Sequence, residues 1–146
     1  MKLSMLIIPI FLLATACGKA PAPGAREVYD AQGQEVITTR SNRAQHFLAI
    51  LYGNATARKS ALEADSVPMA GAAYTLVTWE EASNRYWYGS YINGDIRSVE
   101  KVHVQANTDG TVTPLYQLVK GKVSGPESNV PDRIKWILAQ QPLIFP

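Results

Sequence analysis

The chain has 146 residues, 47% hydrophobic and 18% charged, with a formal net charge of +2 and a single cysteine. That balance excludes the strongly basic footprint of a nucleic-acid-binding protein, and one cysteine excludes an internal disulfide. The length suits one domain with a core held by packing alone.

The first stretch, Met1 to Cys17, reads MKLSMLIIPIFLLATAC. Lys2 supplies a charge, Leu3 to Leu13 an apolar run broken by Ser4 and Pro9, and Ala14-Thr15-Ala16 three small residues directly before Cys17. This is the order of an export signal, and the run is shorter than the ~20 apolar residues of a membrane span. An ordinary secretory signal would also end at Ala14-Thr15-Ala16, leaving Cys17 as a lone exported thiol. The cysteine placed immediately after the small residues resembles bacterial lipoprotein precursors, although Ala14 stands where that family usually has Leu, and Leu13 lies one place back. The resemblance implies a signal peptide at residues 1–16, lipidation of Cys17 and attachment to a membrane of the cell envelope. Two acyl chains make such an anchor stable, because each buried methylene contributes ~0.8 kcal/mol. Gly18 follows Cys17 where Asp would hold the protein in the inner membrane. For a Gram-negative source the resemblance therefore implies the outer membrane, facing the periplasm. Gly18 to Ala25, GKAPAPGA, reads as a flexible Pro/Ala tether. The expected organisation is thus residues 1–16 as signal, 17–25 as lipidated cysteine and tether, and 26–146 as one domain.

Within the domain, Glu27 to Thr39 predicts a short hairpin, with Val28-Tyr29 and Val36 to Thr38 joined by a turn at Ala31 to Gln34. Ser41-Asn42 predict a helix N-cap, followed by an apolar stripe at Ala44, Phe47, Leu48 and Leu51 and a stop at Gly53-Asn54. Thr56 reads as the cap of a second helical stretch, Ala57 to Asp65, ended by Ser66-Val67-Pro68. Ala73 to Glu80, Arg85 to Ile92, Ile96 to Ala106 and Thr111 to Val119 are rich in Val, Ile, Thr, Tyr and Trp and predict four strands. Asn93-Gly94 and Asp109-Gly110 predict hairpin turns between them. Val99, out of phase with Val102 and Val104, fits a bulge, and Pro114 makes the last strand an edge. Pro131 and Asp132 open a C-terminal helix with Ile134, Ile137 and Leu138 on its buried stripe, and an apolar tail runs from Pro142 to Pro146.

The expected fold is α+β: an N-terminal hairpin and one or two helices on a four-stranded antiparallel meander, with a C-terminal helix. In element order this resembles small outer-membrane assembly lipoproteins and β-lactamase-inhibitor-like modules. It is also similar to cystatin-like and nuclear-transport-factor-like cone folds.

Arg85-Tyr86-Trp87-Tyr88-Gly89-Ser90-Tyr91 is the most unusual segment. Read as a strand, it puts Tyr86 and Tyr88 on one face and Trp87 and Tyr91 on the other. Gly89 opens a slot beside Trp87 and Tyr91, predicting that pair as exposed and the other as buried under the helix stripe. Trp79 and Tyr74 on the neighbouring strand extend the patch. Amphipathic aromatics suit an interface, whereas cross-strand aromatic packing explains the same residues without a ligand. Other candidates are thinner. Glu80 and Glu81 are adjacent carboxylates on an extended chain, where neighbours diverge and no glycosidase pair forms. His46 and His103 have no ligand spacing, so no metal is expected. Ser90 lacks the glycine pattern of a nucleophile elbow, and Lys120-Gly121-Lys122 is not a phosphate loop. The sequence therefore predicts a non-enzymatic envelope lipoprotein without a cofactor, binding a protein or other macromolecular partner through its sheet and aromatic patch. The alternative is a small-ligand binder or enzyme of a cone-like fold, with its pocket between helices and sheet.

Overall fold

The computed structural model describes residues 26–63, 67–84, 86–123 and 129–142. The expected export signal, Cys17, the expected tether and the residues beyond Pro142 lie outside them. Among the described residues are β1 (Glu35–Asn42), β2 (Phe47–Gly53), α1 (Ala55–Leu62), β3 (Ala73–Ser83), β4 (Tyr91–Ala106), β5 (Val112–Gly121) and α2 (Val130–Leu138). The strands form one antiparallel sheet in chain order, β1-β2-β3-β4-β5. The α+β class is the expected one, but the sheet has five strands rather than four.

Two strands lie beyond the expected meander, whose second strand is not a separate one: β1, which contains the Val36 to Thr38 strand of the expected hairpin, and β2, where the sequence predicted a helix. Phe47 to Tyr52 is apolar at every position, so it satisfies a helical and an alternating period equally well. Ala49, Leu51 and Gly53 are buried against the helices, while Ile50 and Tyr52 pack on the opposite face. A strand covered on both sides shows no polar face to reveal its alternation. Asn42, read as a helix cap, instead closes the β1–β2 turn, accepting from the Gln45 N–H at 3.1 Å. The α1 cap is Asn54, not Thr56. Its Oδ1 accepts from the Ala57 N–H at 2.9 Å and the Ala73 N–H at 3.2 Å, and its amide donates to the Gly71 carbonyl. One side chain thus caps the helix and pins the loop that leads into β3. At α2 the expected features hold, with Pro131 in the first turn and Asp132 at the positive end of the dipole; the cap, which the sequence reading did not name, is Asn129.

Gly53 sets how closely α1 approaches the sheet. A Cβ there would lie 2.5 Å from Ile37 Cδ1 and 2.8 Å from Ala57 Cβ. Gly53→Ala is expected to cost about 1–3 kcal/mol through this overpacking, read as a lower urea midpoint at unchanged slope.

The sheet carries a core on each face. Toward the helices, Tyr74, Leu76, Val102 and Val104 pack with Ala57, Ala61 and Ile137. On the other face Val77, Trp79 and Val99 form a smaller core with Tyr29, Ile50, Tyr52 and Ile96. Val99 is therefore out of phase because it belongs to the second core. A bulge does fall beside it, but on β5, where Val99 pairs with Lys120 and Glu100 with Leu118. The expected N-terminal hairpin is only a turn, with Gln34 N–H bonded to the Ala31 carbonyl and positive φ at Gln32 and Gly33. The residues before that turn form no strand; they cross the second face as a strap.

The segment 85–92 is not a separate strand. β3 runs on to Ser83, which pairs with Tyr91, so the hairpin tip is the loop between them. Asn93-Gly94-Asp95, read as the turn between the expected strands 85–92 and 96–106, lies inside β4. Glu81 pairs with Asn93 and Trp79 with Ile96, so β4 holds one residue more than β3 there, a bulge. Gly94 suits the close approach, since a Cβ would meet the Glu80 carbonyl and Ala82 Cβ, each at 3.3 Å. Asp109-Gly110 forms its predicted turn, with Asp109 accepting from the Thr111 N–H at 2.9 Å and Gly110 at φ 82°. β5, which contains Pro114, is an edge strand as expected.

Candidate functional site

The residues with the least structural explanation are at one end of the sheet, on the loop joining β3 to β4. Its backbone is tied by its own sequence. Asn84 Oδ1 accepts from the Tyr86 N–H at 3.0 Å, the Trp87 N–H donates to the Asn84 carbonyl at 3.2 Å, and the Ser90 N–H donates to the Trp87 carbonyl at 3.2 Å. Ser90 Oγ bonds the same Trp87 carbonyl, and Gly89 supplies the positive φ of 76° that the second turn needs. An Asx turn followed by a glycine turn fixes the path of the chain.

This ordered loop holds its aromatic rings outward. Tyr86 is 84% exposed, Trp87 72%, Tyr91 47%, and Tyr88 fully. The sequence expectation is met for Trp87 and Tyr91 and overturned for Tyr86 and Tyr88, which were expected under the helices. A loop has no inner face to bury alternate residues, so both pairs reach solvent. Trp79 and Tyr74 do not join the patch. Both lie on β3, but Trp79 is 2% exposed in the second core and Tyr74 2% exposed in the first, on opposite faces of the sheet. Tyr74 donates its hydroxyl to the Ala57 carbonyl, and Trp79 Nε1 donates to the Glu27 carbonyl at 2.8 Å. Their amphipathic tips are thus satisfied inside the fold.

The β1–β2 turn sits beside the aromatic loop. The Arg43 guanidinium lies 5.3 Å from the Tyr91 ring centre, within cation–π range. Glu80 and Arg97 form a paired clasp, with Nε and a terminal nitrogen of Arg97 each 2.7 Å from a carboxylate oxygen. That bond holds the Glu80 carboxyl below its ordinary value and the Arg97 guanidinium above its own. Glu81 points elsewhere: its Oε2 is buried without a hydrogen bond, 3.8 Å from His46 Nδ1, beside a cavity of 380 Å³ shared with Ser41, Arg43 and Tyr91. The two adjacent carboxylates diverge as an extended chain requires and share no reacting centre.

The strap is pinned on the second face by Glu27. Its carboxylate accepts from Lys120 Nζ at 2.6 Å and from the Ile96 N–H at 2.7 Å, and these bonds, led by Lys120, lower its pKa. Farther along, Tyr29 packs on Tyr52 with ring centres 5.8 Å apart, and the Gln34 amide reaches the Ala73 carbonyl. Between strap and sheet lies a cavity of 530 Å³, walled by Tyr29, Gln32, Lys101, His103, Leu115 and Gln117. It is on the face away from the helices, not between helices and sheet.

One polar cluster escaped the sequence reading. Glu100 and Arg133 are buried in the helix-side core as a two-bonded ion pair, both contacts 2.7 Å, and the Tyr116 hydroxyl donates to the same carboxylate at 2.9 Å. Burial, then the Glu100 charge and that hydrogen bond, raise the Tyr116 phenol well above its usual range. Arg133 also stacks on Trp136, 4.7 Å from its ring, while Arg40 approaches that ring at 5.2 Å. The signal was available: Glu100 shares parity with Val102 and Val104, and Arg133 stands four residues before Ile137 on the apolar stripe of α2. The cluster is closed by its own partners and joins α2 to β4 and β5. Among the described residues no three His, Cys, Asp or Glu side chains gather as a metal-binding group, and no helix is long and apolar enough to cross a membrane. The chain matches no protein-family model and no curated protein, so its function is read from its own residues.

Proposed function

We propose that the chain is a lipid-anchored, non-enzymatic protein of the cell envelope, held through Cys17, whose binding element is the aromatic loop between β3 and β4. The observation that carries this reading is the loop itself: a backbone fixed by its own hydrogen bonds that exposes Tyr86, Trp87, Tyr88 and Tyr91 together. Large aromatics held in place at the surface lose little conformational entropy on binding, and they suit a contact that is apolar on one side and polar on the other. The ionisable groups nearby support a binding role over a catalytic one. Glu80 is clasped by Arg97, and Glu81, 3.8 Å from His46, borders a cavity with no second carboxylate in its wall. The membrane attachment rests on the lone cysteine after the small residues Ala14-Thr15-Ala16.

Cys17→Ser is expected to abolish incorporation of a palmitate analogue and to release the protein from washed membranes or leave its signal uncut. A wild-type chain that takes up no label would refute the anchor.

A further inference from the structure

The geometry points to the membrane surface as what the aromatic loop touches: Trp87 and its neighbouring tyrosines seat in the headgroup layer of the bilayer that holds the Cys17 lipid. This inference rests on the anchored reading above and names the surface that the loop contacts.

Its first support is the direction of the strap. Glu27 is bonded to Ile96 and Gly94 on β4, whereas Gln34, seven residues on, reaches Ala73 at the opposite end of β3. Traced backwards, the chain therefore heads to the end of the sheet from which the aromatic loop projects. Ile96 is five residues from Tyr91 along β4, about 15 Å of strand. Cys17 precedes Arg26 by nine residues, which reach at most about 30 Å when extended. An anchor on Cys17 and the tip of the loop can thus lie in one plane, with the sheet standing away from it.

The second support is composition. Trp and Tyr concentrate at the membrane–water boundary because an apolar ring and a polar tip each find their medium there. Arg43, exposed beside Tyr91, adds a cation where lipid phosphates would lie. The two cores on either face of the sheet are closed by the protein's own residues, whereas Trp87 and Tyr88 stand well exposed at the tip of the loop. The lipid on Cys17 supplies the attachment, and contacts of this kind add to it while fixing the orientation of the domain.

The test uses the full mature protein, extracted from membranes and reconstituted into phosphatidylethanolamine–phosphatidylglycerol vesicles with or without brominated acyl chains. Subtracting the emission of Trp87→Phe from that of the wild type isolates Trp87 from the sheltered Trp79 and Trp136. The expected result is a blue-shifted Trp87 signal that is largely lost in brominated vesicles and resists acrylamide. A Trp87 signal unaffected by bromine and open to acrylamide would overturn the proposal. So would protection that appears only when envelope proteins are added, which would give the loop to a protein partner. Mass measurement of the same preparation separates the two readings. An acylated Cys17 with an unquenched Trp87 defeats the loop contact and leaves the anchor, whereas an unmodified Cys17 defeats the anchor and the common-plane argument with it.

Discussion

Arg133→Ala is expected to destabilise the domain by about 3–5 kcal/mol, because it strands Glu100 as an uncompensated charge inside the core. Glu100 is fully buried and Arg133 is 6% exposed, and both bonds of the pair are 2.7 Å. The loss compounds several contacts. The carboxylate keeps only the Tyr116 hydroxyl, Trp136 loses the guanidinium stacked on it, and α2 loses its polar fastening to the sheet. Urea unfolding should show a lower midpoint at unchanged slope. The pair need not be worth that amount as a pair. Desolvating two ions cancels much of their attraction, so replacing Glu100, Arg133 and Tyr116 together by Leu, Met and Phe should recover most of the stability. A triple replacement as unstable as Arg133→Ala would show that the cluster contributes a net favourable interaction beyond avoiding a lone charge.

Trp79→Ala should cost a comparable amount, about 3–5 kcal/mol, by a different route. Its ring fills the second core beside Val77 and Val99, and its indole N–H holds the Glu27 carbonyl. Removing it opens a cavity and unfastens the strap at once. Hydrogen exchange should therefore rise at the backbone amides of residues 27–34, and not only globally. Trp87→Ala, at an exposed loop position, should stay within about 0.5 kcal/mol of wild type. The contrast separates two tryptophans that the sequence placed in one patch. Equal losses at both sites would contradict the burial difference on which the loop's binding role depends.

These two results also mark what the residues disclosed by themselves. Elements with local punctuation were legible: Pro131 and Asp132 at the start of α2, Asp109-Gly110 between β4 and β5, and Pro114 on an edge. What failed did so where local signals were degenerate. Phe47 to Tyr52 is apolar throughout because β2 has a core on each side, so neither period stands out. Tyr86-Trp87-Tyr88 has strand composition, but Asn84 and Gly89 bend it into a loop. Asn93-Gly94 has hairpin composition, but the neighbouring strand continues past it and makes it a bulge. Trp79 and Tyr74, five residues apart on one strand, fall on opposite faces by alternation, but that the face of Trp79 is a second core was hidden, since the strap that covers it carries no apolar periodicity of its own. The Glu100–Arg133 bond spans 33 residues, and no local rule announces a partner so distant. The candidate loop was legible as an aromatic excess; that both its ring pairs face water became clear only with the fold.

The open edges of the sheet bear on how the protein behaves among its own copies. Among the described residues β1 and β5 each present a row of backbone groups with no neighbouring strand, the usual template for aggregation. Both are interrupted. β1 carries an irregularity between Val36 and Thr38 and charged Glu35 and Arg40, while β5 carries Pro114, the bulge at Val119 and Lys120. A proline removes one donor, a bulge twists the ladder out of line, and a charge resists being sandwiched between sheets. For a domain tethered to a bilayer, as proposed, copies are confined to two dimensions and collide with their sheets in similar orientation. Such crowding favours strand addition, and these interruptions oppose it.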